Sequence, residues 1–123
     1  MVTRPLVSVV DDDESVRESL PDLLQEFGLD VQTFGSAEEF LASGYVDQTQ
    51  LLLLDIAMPG MSGPELHQEL VRQRRAIPVV FITANADDGV RPQLLEAGAV
   101  DCLFKPFTES ALLTAVNAAL RAA

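Results

Sequence analysis

Residues 51–63 read Leu51-Leu52-Leu53-Leu54-Asp55-Ile56-Ala57-Met58-Pro59-Gly60-Met61-Ser62-Gly63: four leucines, an aspartate, then a loop of turn-forming residues. An apolar run this short, bounded by turn formers, reads as a strand buried on both faces. Three more runs share the form. Val7-Ser8-Val9-Val10 ends in Asp11-Asp12-Asp13, Val79-Val80-Phe81-Ile82 ends in Thr83, and the last ends in Lys105-Pro106-Phe107, where Lys105 is the only lysine of the chain. Laid parallel in one sheet, these strands put their carboxyl ends on one edge, where ligands of open α/β sheets bind. Carboxylates, a hydroxyl and a lone ammonium then meet in one crevice, a site for a divalent cation and a phosphoryl group.

Working outward, strand-like and helix-like segments alternate. Ser15 with Glu18 reads as a capping box opening a first helix with Val16, Leu20, Leu23, Leu24 and Phe27 at helical spacing, closed near Gly28. Leu29 to Phe34 forms a second strand, and Ser36 with Glu39 opens a short helix ending at Ser43-Gly44. After the Asp55 loop, a helix from about Pro64 to Arg74 turns Leu66 and Leu70 inward, with Arg72, Arg74 and Arg75 near its negative end. Thr108 caps a last helix striped by Leu112, Leu113, Val116 and Leu120. Two prolines break local rules. Pro21 falls inside the first helix and is expected to kink it. Pro92 follows the helix-poor Asp87-Asp88-Gly89, so the fourth helix is expected to start around Arg91–Pro92. Five β–α units with short connections specify an α/β, doubly wound parallel five-stranded sheet, (βα)5, with helices on both faces.

Composition bounds the function. A length of 123 residues, 48% hydrophobic and 22% charged, suits one packed domain over residues 1–123. No stretch reads as a signal peptide or approaches the roughly 18–20 apolar residues of a membrane span. The single cysteine, Cys102, excludes an internal disulfide and fits a reducing, cytoplasmic setting. A net charge of −11 disfavours direct contact of this domain with nucleic acid or anionic membranes.

In the crevice, Asp11, Asp12 and Asp55 are like charges that resist ionising together. A hard cation resolves the repulsion, and Mg²⁺ takes few carboxylates plus a phosphate oxygen. Asp55 is the natural nucleophile because it ends the central strand and a mobile loop follows it, and carboxylates do form aspartyl-phosphate intermediates. Such transfer demands in-line positioning and neutralised equatorial oxygens, which Mg²⁺, Lys105 and Thr83 can supply.

At these residues the chain resembles the response-regulator receiver family of two-component signalling, over essentially its whole length. The motifs that carry the resemblance are Val9-Val10-Asp11-Asp12, Asp55 with Met58-Pro59 and Gly63, Ile82-Thr83-Ala84, and Lys105-Pro106-Phe107. Ser36-Ala37-Glu38-Glu39-Phe40-Leu41 and Ala97-Gly98-Ala99-Val100-Asp101 add a likeness to its fixation-and-nitrate-regulator style. The resemblance implies a flavodoxin-like strand order 2-1-3-4-5. It implies that Asp55 accepts phosphoryl from the phosphohistidine of a sensor histidine kinase, with Mg²⁺ on Asp11, Asp12, Asp55 and the Ala57 carbonyl. Thr83 and Lys105 would contact the phosphoryl group, and the Lys105–Pro106 peptide would be cis. Such a domain catalyses only its own phosphorylation and dephosphorylation, can form a phosphorylation-dependent homodimer through the face of its fourth helix, fifth strand and fifth helix, and often precedes a DNA-binding effector domain. Asn85 and Ala57 fall where the family tunes phosphoryl lifetime. One departure stands out: Cys102 replaces the Tyr or Phe that serves the family as a rotameric switch. Phe104, two residues on and on the same strand face, is either a displaced switch or a packed edge aromatic.

Plainer readings accompany these. Alone, Asp11 to Glu14 would be a solvated loop, Thr83 a strand-end cap and Lys105 a surface charge. His67 reads as an ordinary surface histidine, Cys102 as a partly buried small residue, and Met58 and Met61 as loop packing. Gly60 and Gly63 lack the spacing of a phosphate-cradling loop. A phosphohydrolase with an Asp nucleophile, of the haloacid-dehalogenase kind, needs a second Asp two residues on, where Ala57 stands. A degenerate receiver, acting as a phosphorylation-independent interaction module, is the remaining alternative.

Overall fold

The computed structural model describes residues 4–84 and 89–122. The order of elements is β1 (Leu6–Val10), α1 (Glu14–Glu26), β2 (Asp30–Phe34), α2 (Ala37–Ala42), a 3-10 turn (Val46–Gln48), β3 (Leu51–Asp55), α3 (Gly63–Arg72), β4 (Val79–Thr83), α4 (Val90–Glu96), β5 (Asp101–Phe104) and α5 (Glu109–Ala122). All strands pair in parallel, in the order β2-β1-β3-β4-β5. The expected (βα)5 flavodoxin-like sheet is therefore present.

Strand alternation divides the core. Val7, Val9, Leu51, Leu53, Val80 and Ile82 face α1 and α5, meeting Leu24, Leu112 and Val116. Val10, Leu52, Leu54, Phe81 and Cys102 face the opposite side, against Phe40 of α2, Leu66 and Leu70 of α3, and Leu94 of α4. Leu51 to Leu54 have no exposed surface. Each contributes on the order of 2 kcal/mol of apolar burial, which is why this run sits centrally and holds Asp55 at a rigid edge.

Helix starts depart from expectation. Asp13, not Ser15, caps α1: its extended backbone lets a short carboxylate accept the Ser15 N–H at 2.9 Å, so the helix begins at Glu14. Ser36 does cap α2, accepting the Glu39 N–H at 3.0 Å, but the Glu39 carboxylate reaches back to the Gly35 N–H instead of closing the box on Ser36. The complete capping box lies at Ser62 and Glu65, opening α3 one residue before Pro64. That helix ends at Arg72, short of the expected Arg74, because Arg74 has a φ of 60°. The Arg75 N–H bonds the Leu70 carbonyl and the Arg74 N–H that of Val71, a Schellman closure with arginine where glycine is usual. Gly28, with φ of 82°, ends α1 as expected. Pro21 lies inside α1 and Pro92 in the first turn of α4, which begins at Val90 behind Gly89. Asn85, Asp87 and Asp88 lie outside the described residues. Thr108 caps α5 by accepting the Ala111 N–H at 3.0 Å.

His67 is a correction. It is not on the surface but 7% exposed, its ring edge-on to Phe81 with centroids 5.8 Å apart. Burial holds its pKa below the ordinary histidine value. The α3 face that looked polar by spacing is covered at His67 by Phe81 of β4 and by the turn after α4, where a Cβ on Gly98 would stand 3.8 Å from the ring.

Candidate functional site

Asp11 follows β1 and is fully buried. A buried carboxylate needs partners, and it has them: Oδ1 accepts the Asp13 N–H at 2.9 Å and Oδ2 accepts from Lys105 Nζ at 2.9 Å. Its backbone is fixed as well. The Asp11 N–H donates to the Phe34 carbonyl at 3.1 Å, and Arg17 Nη1 donates to the Asp11 carbonyl at 2.8 Å. The role of Arg17 was invisible in the sequence, where it is one polar position of a helix among several.

Asp55 ends β3 and is 6% exposed. Carboxylate oxygens of Asp11, Asp12 and Asp55 all lie within 4.8 Å of one another. Burial, then the charge of Asp11, push the Asp55 carboxyl up to about 7; Lys105 opposes this, and Asp12 adds to the rise through a hydrogen bond and its charge. Burial works against the Lys105 ammonium, but the hydrogen bond and charge of Asp11, followed by the charge of Asp55, outweigh it and hold the pKa above its usual value. One ammonium therefore does not neutralise three neighbouring carboxylates. A hard divalent cation with oxygen ligands fits that donor set and the surplus of negative charge.

Thr83 ends β4, 3% exposed, and its carbonyl accepts the Lys105 N–H at 2.7 Å. Asp55 is in register with Ile82, and Thr83 with Phe104, so Asp55, Thr83 and the start of the Lys105 loop share one edge. The Lys105–Pro106 peptide is cis, as the resemblance implied. Cys102 is 3% exposed and opposite Phe81, with burial first and Asp101 second raising its thiol pKa and Arg91 opposing them. Phe104 is half-buried and packs on the same apolar cluster.

The loop after Asp55 is closed at its base. The Gly63 N–H donates to the Ile56 carbonyl at 2.9 Å, and a Cβ on Gly63 would come within 2.1 Å of the Asp55 carbonyl oxygen. Only glycine permits that approach. Met58 is buried and Met61 half-buried against the core, while Ala57 is exposed. One contact to this loop went unread in the sequence: Glu38 Oε2 accepts the Met61 N–H at 3.0 Å.

Among the described residues, no helix is long and apolar enough to cross a membrane. The family model of the response regulator receiver domain matches residues 7–117. The chain is 45% identical over 117 residues to nodulation protein W of Bradyrhizobium diazoefficiens, covering 95% of this chain and 52% of that protein. It is 38% identical over 118 residues to the response regulator protein TodT of Pseudomonas putida, covering 96% and 52%. It thus spans about half the length of the curated relatives it matches. Of solved structures, the response regulator StyR superposes with a TM-score of 0.89 at 46% identity, covering 98% of this chain and 61% of that one. The FixJ-N crystal structure superposes with a TM-score of 0.85 at 35% identity, covering 98% and 96%. A parallel sheet that gathers Asp11, Asp12, Asp55, Thr83 and Lys105 at one edge, together with these matches, establishes that the chain belongs to the response regulator receiver domain family of two-component signalling.

Proposed function

We propose that Asp55 accepts a phosphoryl group from the phosphohistidine of a sensor histidine kinase. An Asp55 carboxylate oxygen attacks phosphorus in line; the P–N bond breaks, and the histidine nitrogen leaves with the electron pair. The observation that carries this reading is geometric: carboxylate oxygens of Asp11, Asp12 and Asp55 lie within 4.8 Å of one another at the sheet edge, with the Lys105 ammonium 2.9 Å from Asp11 Oδ2. Asp11, Asp12, Asp55 and the Ala57 carbonyl would hold Mg²⁺, which supplies positive charge to phosphoryl oxygens when bound. Lys105, now on Asp11 Oδ2, and the Thr83 hydroxyl at the same edge are the groups assigned to the phosphoryl oxygens. Water attack on the acyl phosphate in the same site reverses the modification, so the domain catalyses only its own phosphorylation and dephosphorylation.

Phosphorylation then biases the loops and the face built from α4, β5 and α5, through which a phosphorylation-dependent homodimer forms. Curated relatives of about twice this length include transcriptional regulatory proteins TdiR of Thauera aromatica and FixJ of Azorhizobium caulinodans. Where this domain forms part of a longer protein of that kind, a DNA-binding effector domain is the output we assign to it, acting in the cytoplasm, with no nucleic-acid contact by this acidic domain. The complete set of acidic, threonine and lysine positions argues against a phosphorylation-independent module. Intact mass after incubation with Mg²⁺ and a small acyl phosphate tests the reading. One added phosphoryl group on the parent and none on Asp55→Asn is expected; equal masses for the two would overturn it.

A further inference from the structure

Glu38 takes no part in the chemistry above, yet its carboxylate touches the loop on which that chemistry depends. Oε2 accepts the Met61 N–H at 3.0 Å. One residue earlier Gly60 has a φ of 76°, and a Cβ there would stand 2.7 Å from the same oxygen. Glycine at 60 thus meets two demands, a left-handed backbone and room for the Glu38 carboxylate. The base of the contact is firm. Glu38 lies in the first turn of α2 between the buried Ala37 and Phe40, and Phe40 packs edge-on against Phe34 of β2, 5.3 Å away. The Met61 N–H, then the Glu38 N–H itself, hold this exposed carboxyl below the usual range. An ionised acceptor makes the stronger hydrogen bond.

Met58 and Met61 pack on the core, but among the described residues the other backbone hydrogen bonds of the loop stay within its own β3–α3 unit, through Gly63 to Ile56 and through the Ser62–Glu65 box. Among the described residues, Glu38 is the one side chain from outside that unit that hydrogen-bonds the loop backbone. We propose that Glu38 is a positioning residue for phosphoryl transfer: by holding Met61 it sets the path of the loop carrying the Ala57 carbonyl, and with it the Mg²⁺ dependence of phosphorylation. The inference rests on the reading of Asp55 as phosphoacceptor with the Ala57 carbonyl in the metal shell. It also makes α2 a lever on the site, since any partner that shifts α2 shifts the loop.

The test measures the rate of acyl-phosphate labelling by intact mass across a Mg²⁺ titration, for the parent, Asp55→Asn, Glu38→Ala and Glu38→Gln, with thermal unfolding in parallel. Glu38→Ala is expected to need roughly fivefold more Mg²⁺ for half-maximal rate, about what one typical intramolecular hydrogen bond is worth. Glu38→Gln keeps an oxygen for the Met61 N–H and is expected to stay within about twofold of the parent, with all melting temperatures alike. A labelled parent whose Mg²⁺ dependence Glu38→Ala leaves untouched overturns the inference alone, as does equal impairment of the Ala and Gln variants. A parent that takes no label, or an Asp55→Asn that takes as much, overturns the phosphoacceptor reading beneath it.

Discussion

Asp55→Asn is expected to stabilise the metal-free protein at alkaline pH while abolishing phosphorylation. The Asp55 carboxyl rises from an ordinary 3.8 to about 7, through burial first and Asp11 second. At about 1.4 kcal/mol for each unit of pKa, that rise is a penalty of about 4 kcal/mol on the ionised form. The carboxylate lies at the sheet edge, not in the core, so solvent screening reduces the expected penalty to about 2 kcal/mol. A carboxyl whose pKa is raised on folding stabilises fully below its unfolded value and loses that contribution as pH climbs through the folded one. The difference between Asp55→Asn and the parent is therefore near zero below about pH 4, opens between about 4 and 7, and is largest above 7. For a chain of this length about 2 kcal/mol is roughly 8 °C in melting temperature. Thermal unfolding by circular dichroism in EDTA, at steps from pH 4.5 to 8.5, measures it directly. Acid effects elsewhere in the protein are common to both and cancel in the difference. Identical melting at pH 8, or a gap that widens on acidification, would refute the argument that repulsion at Asp55 is stored in the folded state. Millimolar Mg²⁺ at pH 8 should narrow the gap, since ligand bound only to the folded parent stabilises it by mass action.

Gly63→Ala should lower the urea midpoint by the equivalent of about 2–3 kcal/mol, because the new Cβ meets the Asp55 carbonyl at 2.1 Å and backbone must move; an unchanged midpoint would contradict the close approach. Arg74→Gly should raise the midpoint by up to about 1 kcal/mol, since φ of 60° is strained for arginine and free for glycine. A fall instead would mean that the guanidinium makes a contribution larger than the strain. His67 is the only histidine, so its imidazole proton signals are unambiguous by NMR. Their titration midpoint should lie below 6.5, because burial disfavours the charged ring. The stability that neutral His67 provides is present above 6.5 and declines as pH falls below it, and His67→Gln should be less acid-sensitive over that window.

Much of this protein is legible in its sequence because the signals are local. The run Leu51 to Leu54, the run Val79 to Ile82 and their polar terminators mark strands to within a residue, since a strand buried on both faces tolerates nothing but apolar side chains. The family motifs at Asp11, Asp55, Thr83 and Lys105 are equally local, and five parallel units leave their strand ends few places to go except one edge. Helix starts were less legible where several capping residues compete: in Asp11-Asp12-Asp13-Glu14-Ser15, backbone geometry selects Asp13 over Ser15.

Tertiary structure alone decided what depends on distance through space. Lys105 and Asp11 are 94 positions apart, and their 2.9 Å contact exists only because β1, β3, β4 and β5 stack in register. The pKa of Asp55 follows from that same packing, not from its neighbours in the chain. His67 was misread because helical spacing records which face a residue takes, not what the fold brings against it, here Phe81 of β4 and the turn at Gly98. Glu38 and Met61, 23 positions apart, carry no common motif; a bend of the Asp55 loop toward α2 brings them together. The sequence determines which residues form strands and which bear the chemistry, because burial and turn preferences act over a few residues. Charge coupling and hydrogen bonds between elements act over a few ångströms, and only the folded chain sets those distances.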